Sequence, residues 1–238
     1  MLRFNDCAER YVKHAGVQRE MANWLAEWLP DKCGDALEFG PGEGMFTRQA
    51  WPHFDSYTAV DIAERMVGLG QKSLPNINWQ VGNAWKHDPS IGCCDTLMSS
   101  SLAQWSPDPY DTIKNWKLQL RSRGRMLHGF YVNPSLPELY EFLDDDVSPL
   151  QWYDPAVWIN SIEEAGLLVV RSESIKREFF YPDALALLRS LHGIGAVRRG
   201  TLSAGALRRI IREYDERYRV GMRGVVASWT FFRVECQR

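Results

Sequence analysis

Residues 37–46 read LEFGPGEGMF. An apolar run ends at an acid, Glu38, and Gly40, Gly42 and Gly44 follow at alternate positions. Glycine lets a backbone turn sharply and lets a ligand come close to it. In a parallel sheet, the loop at the carboxyl end of the first strand is where nucleotide-like ligands sit. The spacing excludes two ligand classes. A dinucleotide loop, G-x-G-x-x-G, needs glycine at position 45, which is Met45. A triphosphate-binding loop needs Gly-Lys followed by Ser or Thr, and the chain has none at this place. What remains is acid-x-G-x-G-x-G, either a bare turn or a loop under a ligand without pyrophosphate.

That spacing resembles motif I of the class I S-adenosyl-L-methionine (SAM) methyltransferases. SAM has no pyrophosphate to cradle. It carries a cationic amino group and a sulfonium, and an acid beside the loop favours both. The resemblance implies further cofactor residues. Asp61 closes the strand-like YTAVDI, seventeen residues after Gly44. A carboxylate there can accept both ribose hydroxyls, or cap the next helix. Ile62 and Met66 flank it. Asn83 and Ala84 follow the third strand. Many relatives carry Asp where Asn83 stands, and an amide oxygen can still accept from the adenine amino group. Ser99 and Ser100 end the fourth strand, next to the methyl-transfer position. The loop after it, SSSLAQW, is not the Asn/Asp-Pro-Pro-Tyr type of amino-methyltransferases, which argues against adenine or cytosine as acceptor.

These residues need a sheet to position them. Strand-like segments (35–39, 56–62, 77–82, 94–100, 124–131, 167–180 and 224–236) alternate with helix-like ones (44–51, 63–72, 109–120, 135–146, 154–166, 181–193 and 202–218). Alternation of this kind predicts βαβ units. The expected fold class is α/β, a Rossmann-like, seven-stranded, mostly parallel sheet with helices on both faces. Val17, Met21, Trp24, Leu25 and Trp28 form one apolar stripe of an opening helix that Pro30 ends. Ser203 is a candidate helix cap and Gly166 a helix stop. The length of 238 residues and the absence of linkers or repeats predict a single domain. Its N-terminal helical lid would span about 1–30, and a late helical insertion about 181–222.

Composition narrows the setting. No stretch of about 18 apolar residues exists, so no membrane span is expected. The polar N-terminus argues against secretion. Five scattered cysteines show no CxxC pair and no zinc spacing, so reduced thiols and a cytoplasmic protein without metal are expected. From Tyr181 onward there are eleven arginines, no lysine and five acids, although the whole chain carries only −2. Either this is a solvated face or it meets a partner with negative charge. No aromatic-interleaved basic patch appears, so nucleic acid is not expected. A monomer is expected.

A narrower resemblance covers nearly the whole chain. FNDCAERYVKHAGVQRE, SSSLAQW, SLPELYEF and LLRSLHGIGAVRRG are similar to segments of the malonyl-acyl carrier protein O-methyltransferases of biotin synthesis. The chain departs from that pattern at Asn83 and at LRSRGR, where an LRPGG-like turn is common. The resemblance implies methyl transfer from SAM to the free carboxylate of a malonyl thioester, on acyl carrier protein or on coenzyme A, with S-adenosyl-L-homocysteine as product. Acyl carrier proteins are acidic, which gives the arginine-rich final quarter a candidate partner. The competing readings are methylation of another small acid, and a methyltransferase-like assembly factor without this activity.

A carboxylate is ionised at pH 7 and needs no general base, so His14 and His87 are not assigned a role on residue type. The reaction needs alignment, partial desolvation and a group that holds the carboxylate. Tyr11 is expected to line the transfer pocket, or else to be a half-buried aromatic. Arg189 borders an apolar stripe of Leu185, Leu188 and Leu191. It either reaches into a closed pocket to pair with the carboxylate or snorkels at the surface. Trp105 and Gln104 stand where a substrate wall would be, and Trp105 could equally be core packing. Gln18 and Arg19 are candidates for the methionine end of SAM or for the acceptor. Arg198 and Arg199 suit phosphate or carrier-protein contact, or form a solvated turn.

Overall fold

The computed structural model describes residues 15–32, 34–143, 152–193 and 203–238. Tyr11, Arg198 and Arg199 lie outside them. In chain order the elements are α1 (Gly16–Ala26), β1 (Asp35–Phe39), α2 (Thr47–Ala50), β2 (Ser56–Asp61), α3 (Glu64–Ser73), β3 (Asn78–Val81) and β4 (Cys94–Ser100). Then follow α4 (Pro109–Leu118), β5 (Leu120–Val132), α5 (Pro137–Tyr140), α6 (Pro155–Glu164), β6 (Leu168–Tyr181), α7 (Ala184–Gly193), α8 (Ala204–Tyr218) and β7 (Val225–Gln237).

The seven strands form one sheet in the order β3-β2-β1-β4-β5-β7-β6. β1 to β5 pair in parallel, and β7 runs antiparallel to both β5 and β6. This is the mostly parallel α/β sheet expected from the alternation of segments. The strand order reverses at β1 and β4, so their carboxyl ends flank the crevice where such sheets bind ligands.

Alternating side chains of the strands feed two separate packing layers. Leu37, Phe39, Leu97, Phe130 and Phe232 pack against α4 and α6 through Trp116 and Trp158. On the other face, Ala36, Ala59, Met98 and Leu127 pack against Ala22, Leu25 and Phe46. A third layer, on the same side as α1, joins Tyr131, Trp229 and Phe231 to Leu187, Leu191, Ile210 and Tyr214 of α7 and α8. Met21 and Leu25 are fully buried. The second half of the expected lid is therefore a core helix on the sheet.

Local chemistry sets several boundaries. Asp108 Oδ1 accepts from the Asp111 N–H at 2.8 Å and opens α4, with Pro109 in its first turn. Ser203 Oγ accepts from the Ala206 N–H at 3.1 Å, the expected cap of α8. Gly166 follows α6 with φ 71°, the expected stop. α7 begins under Asp183, whose Oδ1 accepts from the Ala186 N–H at 2.7 Å. Among the described residues, no helix is long and apolar enough to cross a membrane.

Candidate active site

β1 delivers Glu38 to the floor of the crevice, and the chain then turns through the three glycines into α2. A side chain at Gly40 would run into Leu102, the residue that follows the β4 loop turn. Gly42 has φ +58° and nothing within 4 Å of where its Cβ would stand. The loop is thus braced behind and open in front. The Gly42 N–H donates to Asp61 Oδ2 at 3.0 Å, and the Ala63 N–H donates to Asp61 Oδ1 at 2.8 Å. Asp61 therefore braces the glycine loop and the turn that leads into α3, a helix whose first turn has no side-chain cap. Burial holds its carboxyl above the usual range, opposed by the amides of Ala63, Gly42 and Ile62.

Glu38 is 1% exposed. Its Oε2 accepts from Thr47 Oγ at 2.6 Å and from the Tyr57 hydroxyl at 2.8 Å. Its Oε1 is buried and has no partner. Burial pushes the carboxyl up to about 7, opposed by the Thr47 and Tyr57 hydrogen bonds and reinforced by the charge of Asp61. Gln18 lies one turn before Ala22 on α1, and its buried Oε1 also lacks a donor. Gln104 is the third such case, with Nε2 donating to the Ser101 carbonyl at 2.7 Å and Oε1 left over. Buried polar atoms seldom stay unpaired. The carboxylates of Glu38 and Asp61 and the donor-less amide oxygens of Gln18 and Gln104 fit a ligand that brings N–H donors and positive charge, as SAM does.

The remaining expected residues divide. Met66 is buried beside Ala63, and Ile62 is 55% exposed next to Asp61. Asn83 Oδ1 accepts from the Trp85 N–H at 3.0 Å, so one lone pair is committed and one is left for a ligand. The Ala84 carbonyl accepts from the Trp116 indole at 2.6 Å. Ser99 is corrected. Its side chain points away from Met98's layer, and its Oγ meets His128 Nδ1 at 2.8 Å under the Trp116 ring. Strand alternation puts it in the core, and burial holds His128 down at about 3, hence neutral. Ser100 lies at the strand end and is partly exposed. Arg19 is exposed.

Arg189 is also exposed, and the buried face of α7 is Ala184, Leu187, Ser190 and Leu191. The apolar stripe lies one residue away from the expected one, which turns Arg189 outward. Trp105 is partly buried and packs against the aromatic layer. Sequence reasoning missed Thr47 and Tyr57, which hold Glu38, and Ser101 and Tyr131, which close the crevice. Ser101 sits at φ 56°, and its Oγ meets the Tyr131 hydroxyl at 2.9 Å.

A model of the methyltransferase domain matches residues 37–128, from β1 through most of β5. The chain is 26% identical to the malonyl-[acyl-carrier protein] O-methyltransferase of a Paenibacillus species, over 95% of this chain and 93% of that one. A solved S-adenosylmethionine-dependent methyltransferase from Mesorhizobium loti superposes with a TM-score of 0.56 at 18% identity, covering 91% of this chain and 98% of that one. This chain carries a SAM-dependent methyltransferase domain. Its glycine loop, Glu38 and Asp61 all fall inside the matched domain. It is also 29% identical to the biotin biosynthesis bifunctional protein BioCD of Bordetella avium, over 90% of this chain and 48% of that one.

Proposed function

We propose that this methyltransferase converts the free carboxylate of a malonyl thioester, carried on acyl carrier protein or coenzyme A, into its methyl ester, an early step of biotin synthesis. The observation that carries the proposal is the polarity of the crevice. Buried oxygens without donors are found at Glu38 on β1, at Gln18 on α1 and at Gln104 after β4. Past Ser101 and Tyr131 the wall is aromatic and apolar, with Trp105, Trp152 and Trp229. A cationic methyl donor suits the first side, and a short acyl group the second. The name of one relative similar over most of the chain points to the same acceptor, and that of another to biotin synthesis.

When bound, SAM supplies a methyl group on a positively charged sulfur. An acceptor carboxylate oxygen forms the new bond to the methyl carbon. The carbon–sulfur bond breaks with its electron pair left on sulfur, giving ester and S-adenosyl-L-homocysteine. No proton moves, so no base is required at pH 7. The reacting charges cancel as the bond forms, so the transition state is less charged than the reactants. An apolar wall that strips water from the carboxylate favours that change. Glu38, Asp61 and Gln18 would hold the cationic partner, and Gln104 and Trp105 would bound the acceptor. The arginines of α8 suit an acidic carrier.

The test is transfer from labelled SAM to malonyl-carrier protein, malonyl-coenzyme A, malonate and acetyl-carrier protein, with product mass recorded. One added methyl on the malonyl thioesters and none on acetyl is expected. SAM binding without transfer to any of them overturns the acceptor assignment.

A further inference from the structure

The aromatic layer beside the crevice contains two buried hydrogen-bond donors that have no acceptor among the described residues. Trp229 is 2% exposed, and its indole N–H has no acceptor. The indole N–H of Trp152 is buried and has none either. The two rings meet edge to face, with centroids 6.0 Å apart at 82°. Trp229 in turn lies 4.9 Å from the Tyr131 ring, and the Tyr131 hydroxyl lies 2.9 Å from Ser101 Oγ at the end of β4. A continuous chain of contacts therefore runs from the glycine loop, through Leu102 and Ser101, to the two indoles.

The other orphaned polar atoms are placed differently. His128 Nε2 is in the layer behind β4. Ser228 is next to Trp229 on β7, so strand alternation turns its side chain to the opposite face. Glu38, Gln18, Gln104 and Gln119 offer oxygens, not donors. Among the described residues, the single buried arginine or lysine is Arg233, and it is committed to Glu27 and Glu173. An oxygen anion entering this layer would thus meet indole N–H groups and no free buried cation of the described chain.

We propose that Trp229 and Trp152 are the acceptor-binding residues that hold the malonyl carboxylate, through their indole N–H groups. The inference rests on the malonyl reading above. It follows from the charge change of the reaction. A guanidinium beside the carboxylate would stabilise the charged reactant more than the nearly neutral transition state, and so raise the barrier. Neutral donors orient the same oxygens while leaving them nucleophilic. They also grip an ester more weakly than a carboxylate, since bonds to a charged acceptor are the stronger ones, which favours product release. Indoles add an apolar wall that keeps water off the reacting oxygen.

The experiment uses the full chain with its ten tryptophans labelled at the indole nitrogen, in the presence of S-adenosyl-L-homocysteine. Peaks are assigned from Trp229→Phe and Trp152→Phe, or by through-bond spectra of the wild type if a variant does not fold. Malonyl-coenzyme A should move both peaks downfield, and acetyl-coenzyme A should move neither. In turnover, each Phe variant should raise KM for malonyl thioester on the order of 10- to 100-fold, the usual cost of one hydrogen bond to a charged group. SAM affinity should stay near wild type, and the melting temperature should fall more for Trp229→Phe, the more deeply buried ring, than for Trp152→Phe. Peaks that ignore malonyl-coenzyme A, or move equally with acetyl-coenzyme A, overturn the proposal. So do Phe variants with wild-type KM in an enzyme that methylates malonyl thioesters. A wild type that methylates none of them defeats the malonyl reading instead, and the spectra still decide whether the indoles bind the carboxylate.

Discussion

The main-chain N–H of Gly42 donates to Asp61 Oδ2 at 3.0 Å, which ties the loop after β1 to the end of β2. Asp61 thereby fixes the loop at a residue whose φ of +58° suits glycine, while the space in front stays open. Gly42→Val should keep the fold, because a Cβ there has no protein atom within 4 Å. The left-handed backbone should cost about 1–2 kcal/mol. The added methyl groups occupy the ligand's side of the loop, so SAM affinity should fall by at least about 100-fold in calorimetry, the scale of about 3 kcal/mol. A folded Gly42→Val protein with normal SAM affinity would remove the loop from the binding site.

Glu38 should make both stability and SAM binding depend on pH. Unfolded, its carboxyl titrates near 4.5, and folded near 7. Between those values the folded state keeps a proton that the unfolded chain has released. Stability therefore falls as pH rises from about 4.5 to about 7 and is level above, by about 3 kcal/mol at most. A bound cation favours the ionised form, so the rise in melting temperature given by SAM should grow between pH 6 and pH 8. Glu38→Gln should flatten both trends. Identical pH profiles for Glu38→Gln and wild type would show that Glu38 does not titrate in this range.

Local signals carried well from sequence to structure. The glycine spacing, Asp61 at the next strand end and the Ser203 cap each depend on neighbours within a few residues, and each stands where it was expected. Non-local relations did not carry. Tyr57 reaches Glu38 because Ala59 registers with Glu38 across two strands, and no periodicity encodes that register. Ser99 was placed at the cofactor edge from its position in the chain, but alternation along β4 sends it to His128. Arg189 was read from a leucine stripe one residue out of phase, since α7 buries Leu187 and Leu191 against α8 and β7. Trp152 and Trp229 are 77 residues apart and meet only because β7 inserts beside β5.

Ser101 and Tyr131 offer a way to separate loop shape from chemistry. Tyr131→Phe removes the hydroxyl that holds Ser101 Oγ at 2.9 Å. The loss of one such bond should cost about 1 kcal/mol of stability. Ser101→Gly should recover backbone strain at φ 56° while losing the same bond, so its melting temperature should lie at or above that of Tyr131→Phe. Both should lower kcat/KM for methyl transfer more than they lower SAM affinity, because the pair stands between loop and acceptor wall. Equal losses in the two quantities would place the pair on the cofactor side.

Arg233 should be the residue on which the docking of α1 depends. Its guanidinium lies 4.1 Å from the Trp24 ring and 4.2 Å from the Trp28 ring. It donates to the Trp24 carbonyl, to Glu27 Oε2 at 3.0 Å and to Glu173 Oε2 at 2.6 Å. Arg171 stacks on Trp28 at 4.2 Å and pairs with Glu235 at 2.7 Å, which extends the stack. One cation thus joins the C-terminal end of α1 to β6 and β7. Arg233→Lys keeps the charge but cannot fill the flat gap between two indoles or reach three acceptors. It should cost about 2 kcal/mol in urea unfolding, the scale of a desolvated cation–π contact with lost charged hydrogen bonds. The loss should persist in high salt, since the group is buried and poorly screened. Because Gln18 rides on the same helix, SAM affinity should weaken several-fold in the variant, and a lysine protein with unchanged stability and affinity would mean that apolar packing alone holds α1 in place.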